Sequence, residues 1–186
     1  RAAFEALGGE IVSAPFFDST SANYTPIVDA MLAPRPDALL FIANAVDTAR
    51  LSQQARKVAP EIPLIAAEWA GTAQLIELGG RAVEGLMIVQ NYNQDDTSER
   101  FQAFRSAYAK RFGKEPVFGS VLAHDAATAA LDALSRRPDG MSVKEALIKL
   151  GPYEGLQQQI RFDENGDTTR VAYFMAIRDG RFVRAQ

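Results

Sequence analysis

From residue 10 the chain alternates between short unbroken apolar runs and segments whose apolar residues recur every three or four positions. "EIVSAPFF" (10–17), "DALLFIA" (37–43), "IPLIAA" (62–67) and "VEGLMIVQ" (83–90) have the length and continuity of strands. Between them, "YTPIVDAML" places Ile27, Val28, Met31 and Leu32 at helical spacing, and "VDTARLSQQARKVA" does the same with Ala49, Leu51, Ala55 and Val58. "TAQLIELGG" reads as a third helix, capped by Thr72 and stopped by Gly79-Gly80. Continuous strands separated by amphipathic helices predict βαβ units, hence an α/β fold with a doubly wound parallel sheet.

The rhythm breaks after residue 90. "NYNQDDTS" (91–98) is polar and leads into successive helices. The first carries Phe101, Phe104, Tyr108 and Phe112 on one face, which reads as helical core. The second, within "GSVLAHDAATAALDALSRR", is alanine-rich and suited to close packing. "SVKE" (142–145) is a capping box opening a third. The stretch from Gln157 to Gln186 reads as two or three antiparallel strands, with turns at Asn165-Gly166 and Asp179-Gly180. This change of pattern marks a second lobe, reached through a short polar crossing near 91–95.

The start of the chain, "RAAFEALGGEIV", has helical spacing at Ala3, Phe4 and Leu7 and a stop at Gly8-Gly9, but no capping residue. Helices this short are marginal alone. The sequence therefore reads as the back half of a helix, and the chain as a fragment of a longer protein.

Composition narrows the chemistry. The 186 residues are 47% hydrophobic and 23% charged, with a formal net charge of −3. That balance suits a globular core and leaves no basic footprint for nucleic acid or a membrane surface. No apolar stretch approaches the roughly 20 residues of a membrane span. With no cysteine, thiol catalysis, disulfides and cysteine metal sites are excluded. His124 is the sole histidine, and with Asp125 beside it at a helix start it reads as a structural pair rather than a catalytic dyad. No nucleophile–base–acid set can be assembled, so an enzyme is not expected, and neither a metal nor another cofactor is called for. "DENGD" (163–167) lacks the calcium-loop spacing and reads as a hairpin turn. Neither glycine pair has phosphate-loop spacing; both are helix stops.

Candidate binding chemistry sits where apolar runs end in polar groups. "LLFIAN" delivers Asn44, and "IPLIAAEW" delivers Ala67, Glu68 and Trp69, the only tryptophan. In open parallel sheets, ligands bind beyond the carboxyl ends of the strands. A carboxylate there can hold an ammonium, with an aromatic wall beside it. Alternatively, Glu68 caps the following helix and Trp69 packs under a loop. The spacing alone leaves both readings open.

The order "DALLFIANAVDTARLSQQARKVAPEIPLIAAEWAG", "AVEGLMIVQNY", "FGSVLAHDAATAALDAL" and "IRFDENGDTTRVAYFMAI" resembles the branched-chain amino-acid-binding family of type I periplasmic binding proteins, the solute receptors of ABC importers. The likeness covers nearly the whole chain. It implies two doubly wound lobes joined by three crossings, closing by a hinge on a ligand between them. On that template residues 1–91 and 173–186 belong to an incomplete lobe two, and 92–172 to the returning segment of lobe one. The first segment of lobe one and the first strand of lobe two would lie outside the chain, with the groups that hold the ligand carboxylate. Glu68 matches the carboxylate that grips the ligand's α-amino group. Asn44 falls where those members often carry a tyrosine, and Ser120 or Phe118 where an aromatic touches the ligand side chain. Those last two positions depart from the pattern, so specificity for aliphatic side chains does not carry over. The implied protein is a periplasmic receptor for an amino acid or related small organic acid, exported and served by a membrane permease. A ligand-sensing regulatory domain of the same fold, such as an amide sensor or a repressor's effector core, is the alternative.

Overall fold

A computed structural model describes residues 1–20 and 23–185. The chain divides into two compact units, one of Arg1–Val89 with Phe174–Gln186 and one of Gln90–Tyr173.

The first unit is built on strands β1 (Leu39–Phe41), β2 (Leu64–Ala66), β3 (Met87–Gln90), β6 (Tyr173–Arg178) and β7 (Arg181–Arg184), in the sheet order β1-β2-β3-β6-β7. β1, β2 and β3 are parallel, in the register Leu39↔Leu64, Phe41↔Ala66 and Ala66↔Ile88. The connecting helices are α3 (Ala45–Val58) and α4 (Ala73–Gly79), preceded by α2 (Thr25–Leu32). Leu39, Phe41, Leu64, Ala66, Ile88 and Ile177 meet Ala49, Leu51, Ala55 and Leu75 in one buried cluster. Each fully buried large aliphatic or aromatic side chain there contributes about 1.5–3 kcal/mol. The fold is α/β, as the alternation of runs and periods dictates.

Polar groups finish what the apolar pattern begins. Asn44 caps α3, its Oδ1 accepting from the Asp47 N–H at 2.9 Å. At the other end of that helix, Arg56 donates to the carbonyls of Pro60 and Ile62 at 2.6 Å and reaches those of Ala82 and Glu84 at 3.4 and 3.5 Å. One guanidinium thus gathers four carbonyls that no ladder uses. The β6–β7 hairpin turns on Asp179 (φ 50°) and Gly180 (φ 66°), a pair of left-handed residues suited to the strand twist. The Glu84 carboxylate accepts from the Asp179 N–H at 2.9 Å.

The second unit packs α5 (Glu99–Phe112), α6 (Phe118–Arg136) and α7 (Val143–Lys149) with a small antiparallel pair, β4 (Tyr153–Glu154) and β5 (Gln159–Ile160). The expected capping box opens α7: the Ser142 hydroxyl accepts from the Glu145 N–H, and Glu145 reaches back to the Ser142 N–H. Ala129 and Ala133 are buried against α7, the close approach that alanines permit. Asp163 closes the turn at Asn165-Gly166, accepting from the Asn165 and Asp167 N–H groups.

Several expectations are corrected. Residues 10–17 form no strand: their burial alternates, but no neighbouring backbone ladders to them, Pro15 has no N–H, and the Ser13 hydroxyl donates instead to the Ala30 carbonyl. The opening helix, α1 (Ala2–Ala6), exists, yet its apolar residues are exposed. Val58 ends α3 facing solvent, while Ala49, Leu51 and Ala55 are buried as expected. Thr72 occupies the cap position of α4, but its hydroxyl bonds nothing and is buried. Of the aromatic stripe on α5 only Phe101 is fully buried, and Phe112 is 54% exposed. His124 and Asp125 do not pair. Asp125, 2% exposed, accepts from Leu156 N–H at 2.8 Å and from Arg170 at 3.0 Å, whereas His124 is exposed and meets the Phe104 ring edge-on.

Replacing Asp125 with alanine leaves the Arg170 charge and the Leu156 N–H without their acceptor in a largely buried place. The expected cost is about 3–5 kcal/mol, read as a fall in the midpoint of urea unfolding. Tyr24, buried beside α3, donates to Asp47 at 2.7 Å. Burial first, and then that hydrogen bond, push its phenol above the ordinary tyrosine value. A raised value means the folded state holds this proton more tightly. The contribution is therefore complete below about pH 10 and is lost as pH rises through the folded value. Tyr24→Phe should flatten the alkaline limb of stability, measured by thermal melts between pH 8 and pH 11.

Candidate functional site

The parallel register of β1, β2 and β3 brings their carboxyl ends to one edge of the first unit's sheet. β1 runs out through Ile42 and Ala43 to Asn44, where α3 begins. β2 gains one more ladder bond, from the Ala67 N–H to the Phe41 carbonyl at 3.0 Å. The chain then coils into a 3-10 turn, Glu68–Ala70, closed by Ala70 N–H to Ala67 O and Gly71 N–H to Glu68 O. That turn buries Ala70 completely, leaves Glu68 and Ala67 half-buried, and turns Trp69 outward, 59% exposed. Neither structural alternative for this pair describes the chain. The cap position of α4 is Thr72, four residues beyond Glu68, and Trp69 is not packed under a loop.

Asn44 has a definite local task. Its Oδ1 accepts from the Asp47 N–H and its Nδ2 donates to the Asp47 carboxylate at 2.8 Å. Asp47 is itself buried and receives the Tyr24 hydroxyl, while the Arg50 guanidinium lies 5.9 Å from the centre of the Tyr24 ring. These groups fasten the start of α2 to the start of α3 and hold Asn44 at the sheet edge.

Ser120 and Phe118 lie in the second unit, on the first turn of α6. Phe118 packs against Tyr92, Phe101, Val121 and Leu156, and the Ser120 hydroxyl donates to the Tyr108 hydroxyl at 2.9 Å.

A residue that the sequence reading passed over is Gln90. It ends β3 as Asn44 and Glu68 follow β1 and β2, is 1% exposed, and its Oε1 is buried without a hydrogen-bond partner. The signal was present: "GLMIV" also runs straight into an amide.

Two concavities lie elsewhere. An open groove of about 680 Å³ in the second unit is lined by Phe104, Tyr108, Phe112 and His124, with Arg100 and Arg111 at its rim. A smaller polar one of about 360 Å³ in the first unit lies along Tyr24, Arg50 and Lys57. Neither includes Asn44, Glu68 or Trp69.

Comparison with curated proteins finds no match. Among solved structures, the leucine-binding protein LivK of Thermotoga maritima is 28% identical with a TM-score of 0.87, over 98% of this chain and 53% of its own. A substrate-binding protein of Desulfitobacterium hafniense, in complex with Leu, is 24% identical with a TM-score of 0.73, over 97% and 53%. LivJ of Streptococcus pneumoniae, in complex with isoleucine, is 20% identical with a TM-score of 0.78, over 95% and 53%. The last two speak for the fold alone. The chain spans about half the length of these proteins. The periplasmic binding protein family profile matches residues 1–181, so the chain belongs to the periplasmic binding protein family.

Proposed function

We propose that this chain is part of the solute receptor of an ABC importer that binds an amino acid or a closely related small acid, and that it is not an enzyme. The observation that carries the reading is Glu68. A carboxylate stands at the carboxyl edge of a parallel sheet in a chain 28% identical to a leucine-binding protein over nearly its whole length. Negative charge at that position suits the ammonium of an amino acid, through short charge-assisted hydrogen bonds. Trp69 gives the aliphatic or aromatic remainder a flat apolar wall beside it, and can also face a cation. Ala67, with no side chain beyond Cβ, leaves room for the solute to approach the strand end. Asn44 shapes the same edge, its carboxamide held by Asp47.

In this reading the first unit is lobe two and the second is the returning part of lobe one. Ser120 or Phe118 is assigned to the ligand side chain. Ser120 offers a hydroxyl where branched-chain receptors place an aromatic, which favours a solute more polar than leucine. Residues beyond this chain complete the grip on the ligand's carboxylate. The protein works in the periplasm and hands its solute to a membrane permease.

Glu68→Ala in the intact protein should weaken amino-acid binding by about 2 kcal/mol or more, since it removes a charged partner. Isothermal titration with leucine, isoleucine and the polar amino acids checks this, and unchanged affinity would end the amino-acid reading. Asn44→Ala should cost about 1 kcal/mol of stability through loss of the α3 cap. Asn44→Ser keeps a capping oxygen and should restore most of it, which chemical denaturation of the two variants distinguishes.

A further inference from the structure

The chain passes from one unit to the other twice, at Val89–Gln90 and at Tyr173–Phe174. Within the second unit, the segments adjoining both passages lie close to the loop between β4 and β5, residues 155–158. Residues 91–93 and Val171 belong to no strand or helix. Two adjacent glutamines bind backbone groups of both segments.

The Gln157 carboxamide binds Asn93 at two points. Its Oε1 accepts from the Asn93 N–H at 2.9 Å and its Nε2 donates to the Asn93 carbonyl at 2.5 Å. This reproduces the double exchange of an antiparallel bridge with a side chain in place of a strand. Gln158 spans the two segments: its Nε2 donates to the Asn91 carbonyl at 3.2 Å and its Oε1 accepts from the Val171 N–H at 2.9 Å. One amide group therefore joins the outgoing and the returning chain.

The loop that presents them is fixed at its base. The buried Asp125 accepts from the Leu156 N–H and from Arg170, the neighbour of Val171. Arg100 donates to the Gly155 carbonyl at 2.9 Å. A Cβ on Gly155 would lie 2.5 Å from the Gln158 carbonyl oxygen and 3.0 Å from the Asp125 carboxylate, so that position has no room for a side chain. A loop anchored this firmly is a support on which two polar side chains can hold other segments in place.

We infer that Gln157 and Gln158 form a clamp that ties both connecting segments to the second unit and confines backbone bending between the units to the residues outside it. The glutamines are positioning residues, and their action is independent of which solute the protein binds.

Residue-resolved hydrogen exchange on the intact protein tests the clamp. Gln157→Met keeps the length and removes both hydrogen bonds. It should accelerate exchange at Asn93 by at least about tenfold, leaving Val171 unchanged. Gln158→Met should do the reverse. If either methionine variant fails to fold, Gln157→Ala and Gln158→Ala serve, each removing both hydrogen bonds of its carboxamide with the same expected pattern of exchange. Unchanged exchange at the paired amide, or equal acceleration throughout the second unit, overturns the inference. This chain has no cysteine, so spin labels at Glu77→Cys and Lys110→Cys, one exposed helical position in each unit, sit on its only thiols. In the Gln157→Met/Gln158→Met background the distance distribution between them should broaden. An unaltered width also overturns it.

Discussion

The parallel pairing of three short strands is the constraint from which the rest of the first unit follows. Because β1, β2 and β3 pair in one direction, each return must cross over a helix, and the sheet's residues become a continuous apolar stripe. The same pairing brings all three carboxyl ends to one edge. Each strand can then lead into a polar residue at that edge. Asn44, Glu68 and Gln90 are neighbours in this sense although they lie more than twenty residues apart in sequence.

Three motifs that look unremarkable in the sequence acquire physical reasons. In "QAR", Arg56 collects four carbonyls around the end of α3. In "EGL", Glu84 holds the turn of the β6–β7 hairpin while Gly85, at φ 75°, donates to Ile177. In "FDENGD", Asp163 closes its own turn on Asn165 and Asp167. Each fixes a junction between elements rather than an element itself. Hydrophobic periodicity is silent about junctions, which explains why such residues register only as a recurring order.

The fold was legible wherever a local pattern and its burial agree, as in α3, α6, the box at Ser142 and the two glycine-bearing turns. It was not legible where the outcome depends on a distant neighbour. Residues 10–17 carry strand composition, but a strand needs a partner, and composition cannot supply one. Val58 has the right spacing and lies too near the end of α3 to be covered. Asp125 sits beside His124 in sequence, yet its partner is Arg170, 45 residues away. At the candidate site, an acid beside the lone tryptophan after an apolar run was readable. The capping duty of Asn44 was not read, though asparagine before a helix is its usual signal. Gln90 was passed over because an amide ending a strand is common.

Trp69 is the only indole in the chain and stands 59% exposed next to Glu68. Ultraviolet emission from this chain, excited at the red edge of tyrosine absorption, therefore originates at a single known place. Its wavelength is set by how much water reaches that one ring. Anything that settles over the carboxyl edge of the sheet dries the indole and shifts its light toward the blue, with no other indole in this chain to dilute the change.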